Sequence, residues 1–430
     1  MSNIRLKKAL LLCGISSLCS SVFALPLSSD EACKAANVSD FSQMLSCGTI
    51  EGSLRLNSFS TNHAYFANNS QDTTTAGGYI NYKTARYNGF QAVIGVEGQK
   101  RLAHGSDDIS ELSQDTFGIG EAYINWTQDK FSVTVGNQKL DLPFMGDYSF
   151  YRVQPFLYQG IDMKYGDADN FVRANYINKY KSYGDDSFAH RDRYNDDPFS
   201  AAQDTRLDHV TSVGVGKKFN LNDKYLKTQA WLESYEDSFN LYYGEANLGF
   251  DKVQWAPEVS VQAAYANDIG DAQFKQASGK KVDSTSLGAQ LKLKPTDKLT
   301  WRLAYDHVFK KNDAWGNGTL PTPYAHNTSS DPYFAQPFFT STQDLGPGDF
   351  YTTELSSPFG QNAFVGSRIT YTDLSNTETN KDMYEVMFYG FYNFTGALKG
   401  LSLSEFIGFQ KQKGDSNAFL QNRFGITYNF

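Results

Sequence analysis

Outside its N-terminus the chain has no apolar run of about 18 residues, the length an α-helix needs to cross a bilayer, so helical membrane spans are excluded. Histidine is scarce: the six residues His63, His104, His190, His209, His307 and His326 are scattered singly. No G-x-S-x-G, H-E-x-x-H or P-loop occurs, so no catalytic residue is expected. Asp208-His209 and Asp306-His307 are neighbours, but adjacent residues of a strand point to opposite faces, so neither is a ready-made dyad. Soft metal ligands are also missing, and neither a metal nor a cofactor is expected. The acidic group Asp185, Asp186, Asp192, Asp196 and Asp197 lacks the ordered oxygen spacing of a calcium loop and reads as a solvated loop. Basic charge is in deficit, with a formal net charge of -8, which makes nucleic acid a poor partner.

Cysteine is limited to four residues. Two of them, Cys13 and Cys19, lie in a segment that carries Arg5, Lys7 and Lys8, an apolar run over residues 9–19, and Val22-Phe23-Ala24. This reads as a secretory signal peptide over residues 1–24. Its removal takes three basic and no acidic residues, moving the formal charge from -8 to -11. The other two, Cys33 and Cys47, form an even pair in an exported chain, and a disulfide is expected between them, with two buried thiols as the alternative. Residues 25–47 form an expected periplasmic segment: Ala35, Val38, Phe41, Met44 and Leu45 recur at helical spacing behind Ser29-Asp30. It reads as a short helix or hairpin pinned by the disulfide, or as a small plug in a lumen.

What the chain has in quantity is aromatic residues, 27 Tyr and 32 Phe, with 35 Gly. The final stretch, F-L-Q-N-R-F-G-I-T-Y-N-F over residues 419–430, sets Phe424, Ile426, Tyr428 and Phe430 on one face against Arg423, Gly425, Thr427 and Asn429 on the other. That period of two is a strand, whose unpaired edges are most fully hidden by closing a barrel with the first strand. The theme repeats from residue 48 onward: Phe90, Ala92, Ile94 and Val96 alternate with Gln91, Glu97 and Gln99, Val93 interrupting, and Val172, Ala174 and Tyr176 alternate with Arg173 and Asn175. A soluble sandwich alternates too. Connector lengths separate the two readings, because tight joints such as 87–89, 128–130 and 295–297 take turns with long polar ones such as 61–75, 101–114 and 181–207. Tight turns at one end and long loops at the other describe an all-β transmembrane barrel over residues 48–430, with about eighteen strands. The least certain strand lies near residues 349–356, inside the long stretch 312–361, and dropping a strand pair there leaves sixteen.

With the apolar faces outward, the opposite positions line a channel. They include Arg55, Arg173, Arg302, Arg368, Arg423, Lys164, Lys227 and Lys292, facing Glu51, Glu97, Glu121, Asp162, Glu245, Asp306 and Glu385. Fixed cations in a narrow aqueous pore attract carboxylates, and acidic groups opposite them orient a solute's dipole. In a wide barrel the same residues are merely solvated.

The third long connection, residues 139–162, is far too apolar and aromatic for a loop in water, and should fold inward against the wall. Asp141, Asp147, Tyr148, Tyr151 and Arg152 are its candidate constriction residues, with Arg173, Arg302 and Arg368 facing them on inward phase. Here the chain resembles the OprD-like outer-membrane porins. V-G-N-Q-K-L-D-L-P-F followed by R-V-Q-P-F-L-Y-Q-G-I-D-M looks like that family's path from the fifth strand through the constriction loop into the sixth. G-T-I-E-G-S-L-R at 48–55 and T-G-A-L-K-G-L-S-L at 395–403 are similar to its opening strand and a late turn. The resemblance implies an eighteen-stranded barrel in the outer membrane, with an eyelet opposite a row of basic side chains, passing small carboxylate-bearing solutes such as amino acids, peptides or organic acids. The cysteine-bearing segment departs from that pattern. Outer-membrane lipid and small solutes are the expected partners, a homotrimer and a monomer both fit, and the alternative function is a barrel whose surface loops act in adhesion or host contact.

Overall fold

The computed structural model describes residues 24–28, 30–105, 107–146, 152–194, 207–324, 332–340, 342–375 and 381–430. The alternating segments form β1 (Thr49–Asn62), β2 (Ser70–Lys83), β3 (Phe90–His104), β4 (Thr116–Gln128), β5 (Phe131–Gln138) and β6 (Leu157–Gly166). They continue as β7 (Phe171–Lys181), β8 (Val210–Leu221), β9 (Lys224–Tyr235), β10 (Phe239–Phe250), β11 (Glu258–Asp268) and β12 (Asp283–Leu293). The set ends with β13 (Thr300–Val308), β14 (Gly348–Phe359), β15 (Ala363–Leu374), β16 (Met383–Asn393), β17 (Leu401–Gln412) and β18 (Phe419–Asn429). Each pairs antiparallel with its sequence neighbours, and β18 pairs with β1 over Leu420↔Asn62 to Asn429↔Ser53, so eighteen strands close on themselves. The uncertain strand exists as β14, which leaves residues 309–347 as the longest external loop.

Closure leaves no edge, and the period of two then separates solvents. Outward positions carry Ile94, Ile124, Val135, Val213, Val261, Leu287 and Ile369, all exposed. Rings mark both ends of this band: Phe90, Trp126 and Phe131 stand in edge and tilted contact near the short turns, while Tyr305, Tyr351 and Tyr371 line up near the loops. Val93, the residue that broke the expected pattern, points inward and is buried. Among the described residues no helix is long and apolar enough to cross a membrane.

Tight turns sit at one end, for example 129–130 and 222–223, and long loops at the other. The separation is not complete, since β9 and β10 join at the loop end through residues 236–238 alone. Strands at the loop end also outrun their expected limits: β1 and β2 reach Asn62 and Ser70, leaving a loop of only 63–69.

The segment before β1 packs beneath the turn between β2 and β3. A disulfide joins Cys33 to Cys47. Val38, Met44 and Cys47 form a small core against Ala85 and Tyr87. Val38 N–H donates to the Arg86 carbonyl at 2.7 Å, and Ala85 N–H to that of Met44 at 2.9 Å. The helical periodicity is realised late and briefly, as α1 (Phe41–Ser46), capped by Asp40, whose carboxylate accepts from Gln43 N–H at 2.8 Å. Ser29-Asp30 therefore does not cap it; a single 3-10 turn over Glu31–Lys34 stands there instead.

Candidate functional site

The interior is built from two long loops and the wall that receives them. Loop 3, between β5 and β6, leaves the wall at Lys139 and turns inward. Leu140, Leu142, Phe144 and Met145 are buried there, in one cluster with Tyr158, Tyr180 and Tyr243. The Tyr158 hydroxyl donates to the Gly146 carbonyl at 3.0 Å. On its return the loop buries Arg152, whose guanidinium lies 5.0 Å from the Tyr183 ring centre and whose carbonyl accepts from Arg55 Nη1 at 2.8 Å. Val153 completes a separate apolar group with Phe59, Ile109 and Leu112.

Loop 7, between β13 and β14, also runs inside. Residues 333–339, Y-F-A-Q-P-F-F, are buried, and the wall binds their backbone directly. Asp306 accepts from Ala335 N–H, and Glu385 from Phe338 N–H at 2.6 Å and Phe339 N–H at 2.9 Å. Two wall arginines hold the carbonyls: Arg302 Nη1 donates to that of Phe334 at 2.7 Å, and Arg368 Nη1 to that of Gln336 at 3.4 Å. Glu354 joins these arginines, accepting from Arg302 at 2.5 Å, Arg368 at 2.7 Å and the Tyr389 hydroxyl at 2.8 Å. Phe338 stacks on Phe406 with centroids 4.8 Å apart. A buried amide left bare costs about 1–3 kcal/mol, which explains why an irregular segment threaded through a barrel needs so many side-chain partners. Loops 3 and 7 meet where Phe144 approaches Tyr333 edge-on, centroids 6.5 Å apart. Burial raises the pKa of the loop phenols Tyr194 and Tyr324, keeping both protonated.

A polar cavity of about 280 Å³ remains beside the wall of β3 to β6, lined by Arg86, Glu121, Asn125, Lys139 and Asp162 among others. Arg86 donates to Asn125 Oδ1 at 3.0 Å and to Gln91 Oε1 at 3.2 Å. Lys139 Nζ stands 4.0 Å from Glu121 and 4.1 Å from the Tyr79 ring centre. Arg173 makes a two-point pair with Asp162 at 2.7 and 3.2 Å and donates to the Asp141 carbonyl at 3.3 Å.

Of the residues singled out in the sequence, Arg173, Arg302 and Arg368 all face inward. Arg173 is paired with Asp162, which lines the cavity, whereas Arg302 and Arg368 are occupied by Glu354 and loop 7. Asp141 is exposed at the base of loop 3 and Arg152 is buried in its return. Asp147, Tyr148 and Tyr151 lie outside the described residues. Neither sequence-adjacent pair forms a dyad: Asp306 points in, His307 pairs outward with Asp349 at 2.8 Å, and His209 pairs with Glu236 at 2.6 Å. In the acidic group of loop 4, between β7 and β8, Asp185 accepts from Ser182 N–H, Asp186 from Phe117 N–H and Asp192 from Tyr194 N–H, while Asp196 and Asp197 lie outside the described residues. Arg86, Lys139 and Glu354 were missed. Arg86 and Lys139 stand at a turn and a loop, where parity gives no direction, and Glu354 lay in the strand whose existence was in doubt.

A closed antiparallel sheet, apolar outside, ringed by aromatics and filled inside by charged side chains and loops, defines a transmembrane β-barrel of the outer-membrane type. Its fold is that of the OprD-like porins. OccK9 (OpdG) of Pseudomonas aeruginosa superposes with a TM-score of 0.73 at 14% identity, over 90% of this chain and 99% of that one. A BenF-like porin from Pseudomonas fluorescens Pf-5 gives 0.69 at 15% identity, over 90% and 99%. OpdK of Pseudomonas aeruginosa, solved with vanillate, gives 0.66 at 13%, over 89% and 98%. No protein-family model matches the chain, and no curated protein does so at a significant level.

Proposed function

We propose that the chain is a passive outer-membrane diffusion channel for small polar solutes bearing a carboxylate, narrowed by loop 3 together with loop 7. The observation that carries this reading is the cavity beside β3 to β6, lined by Arg86 and Lys139 with Glu121 and Asp162 among them, Asp162 being held in turn by Arg173. Cations so placed draw in an anionic group, and neighbouring carboxylates turn the rest of a solute away from them or, in a zwitterion, take up its ammonium. The superposable OpdK was solved with vanillate, an aromatic carboxylate, which supports the same solute class. An adhesive role gains less from loop 7, because its residues 318–324 and 333–339 are buried rather than offered outside.

Planar-bilayer recording provides the test. The channel should conduct, and its reversal potential across a salt gradient should shift toward cations when Arg86 and Lys139 are both changed to Ala. Uptake of vanillate and of amino acids into liposomes should fall in the same variant. Absence of current, or an unmoved reversal potential together with unchanged uptake, would refute the proposal.

A further inference from the structure

The wall that seats loop 3 holds a carboxylate without a counter-charge. Glu233 turns inward from β9 and is fully buried. Its Oε2 accepts from the Tyr235 hydroxyl at 2.7 Å, while Oε1 has no hydrogen-bond partner, and no ion pair reaches it among the described residues. The sheet register sets Ser212 of β8 opposite Glu233, and Asn175 of β7 opposite Ser212. Both are inward and buried, and the Ser212 hydroxyl and both polar atoms of the Asn175 amide are likewise without partners. Opposite side chains on one face start only about 4.5–5.5 Å apart, so these orphaned groups are neighbours although no hydrogen bond joins them. Above them, Ile177 and Val210 belong to the apolar cluster that receives the inward turn of loop 3, as does Leu241, opposite Glu233 on β10. To the side, Asp162 lies opposite Asn175 and lines the cavity, so polar side chains run without a break from the cavity to Glu233.

A buried charge is strongly destabilising unless it is paired and hydrogen-bonded. Ionised, Glu233 lacks a counter-charge; protonated, it still leaves Oε1 without a partner. We propose that Glu233, Ser212 and Asn175 bind a small monovalent cation, which enters from the cavity. Carboxylate, hydroxyl and amide oxygens are the ligands that hard cations take. One carboxylate balances one positive charge, whereas a divalent ion would leave an excess in apolar surroundings, and no three acidic, histidine or cysteine side chains gather as metal ligands among the described residues. Water would answer the hydrogen bonds but not the charge. The ammonium of a solute carries the same charge, but the three side chains are at most 2% exposed, which admits an ion and not the body of a solute. Bound there, the cation ties β7, β8 and β9 together beneath the inward turn of loop 3.

Isothermal titration calorimetry on the full chain in detergent micelles tests this, with sodium chloride replacing N-methyl-D-glucamine chloride at constant ionic strength. Wild type should give a saturable heat. Glu233→Gln, which keeps the side chain's size and shape, should weaken binding about tenfold or more, because it removes the charge that holds the ion. Ser212→Ala leaves the carboxylate in place and should weaken it by a smaller factor, which carries the test should the first variant not fold. Heat-shifted gel migration shows that each variant is folded. No saturable heat in wild type, as water alone would give, or a wild-type affinity in both variants would overturn the proposal. Either result leaves the diffusion-channel reading standing, since the cation site does not rest on it.

Discussion

Glu354 shows how a charge can be inward without being available to a solute. It is buried between Arg302, Arg368 and the Tyr389 hydroxyl, and its two arginines in turn hold carbonyls of loop 7. Glu354→Ala would take the shared carboxylate from a buried Arg368 and a half-buried Arg302, a loss of about 3 kcal/mol. Urea unfolding in micelles should register it as a lower midpoint. Glu385 bonds the loop backbone twice and the wall only through Gln410, so Glu385→Ala, which strips the acceptors from Phe338 and Phe339 N–H, should instead raise open-channel noise and mean current. Quiet traces at wild-type current would show that loop 7 stays seated without it. Parity alone made the inward direction of Arg302 and Arg368 legible. Their partners were not, because Glu354 and the carbonyls of residues 334 and 336 come from segments whose pairing is set only once the sheet has closed.

Single elements answer to local rules, and these were read more fully. The turn joining β6 to β7 is an Asx turn: Asp167 Oδ1 accepts from the N–H groups of Asp169 and Asn170 at 2.9 and 2.8 Å, and these bonds hold its pKa below the usual aspartate value. A depressed folded-state pKa gives a contribution present above the unfolded value of about 3.9 and lost as pH falls through the folded one. Exchange of the Asp169 and Asn170 amides, measured relative to other turns, should therefore rise only below about pH 3.9 in wild type, and at neutral pH already in Asp167→Ala. The disulfide should prove equally local: Cys33→Ser with Cys47→Ser is expected to open residues 30–47 to protease, leaving conductance and barrel melting as they were. Loop 3 betrayed itself by being too apolar and aromatic for water, whereas loop 7 lay in a stretch that stood out only by its length. The wall that receives them could not be read, since Ala335 meets Asp306 and Phe338 meets Glu385 through backbone N–H groups that carry no residue identity.

For the whole molecule the deciding fact is closure, and it depends on close backbone approach at the first hairpin. Gly78 adopts a positive φ, and a Cβ there would come within 1.8 Å of the Ser53 carbonyl oxygen. Gly78→Val should stop β1 and β2 from pairing, which leaves β18 without its neighbour and abolishes the heat-shifted gel band of the folded barrel. Strand count and topology were legible because a repeat of two residues has to be kept all the way round the barrel. The distribution of the filling was not. Loop 7 leans on β12 to β17 and, through Tyr324, on β6, β7 and β9, the inward turn of loop 3 leans on β6 to β10, and the open cavity sits against β3 to β6. On the proposed function, the passage is thus a keyhole set to one side and not a bore down the axis. A molecule threading it keeps one flank against strand side chains throughout, so even a barrel of this girth can discriminate among what it admits.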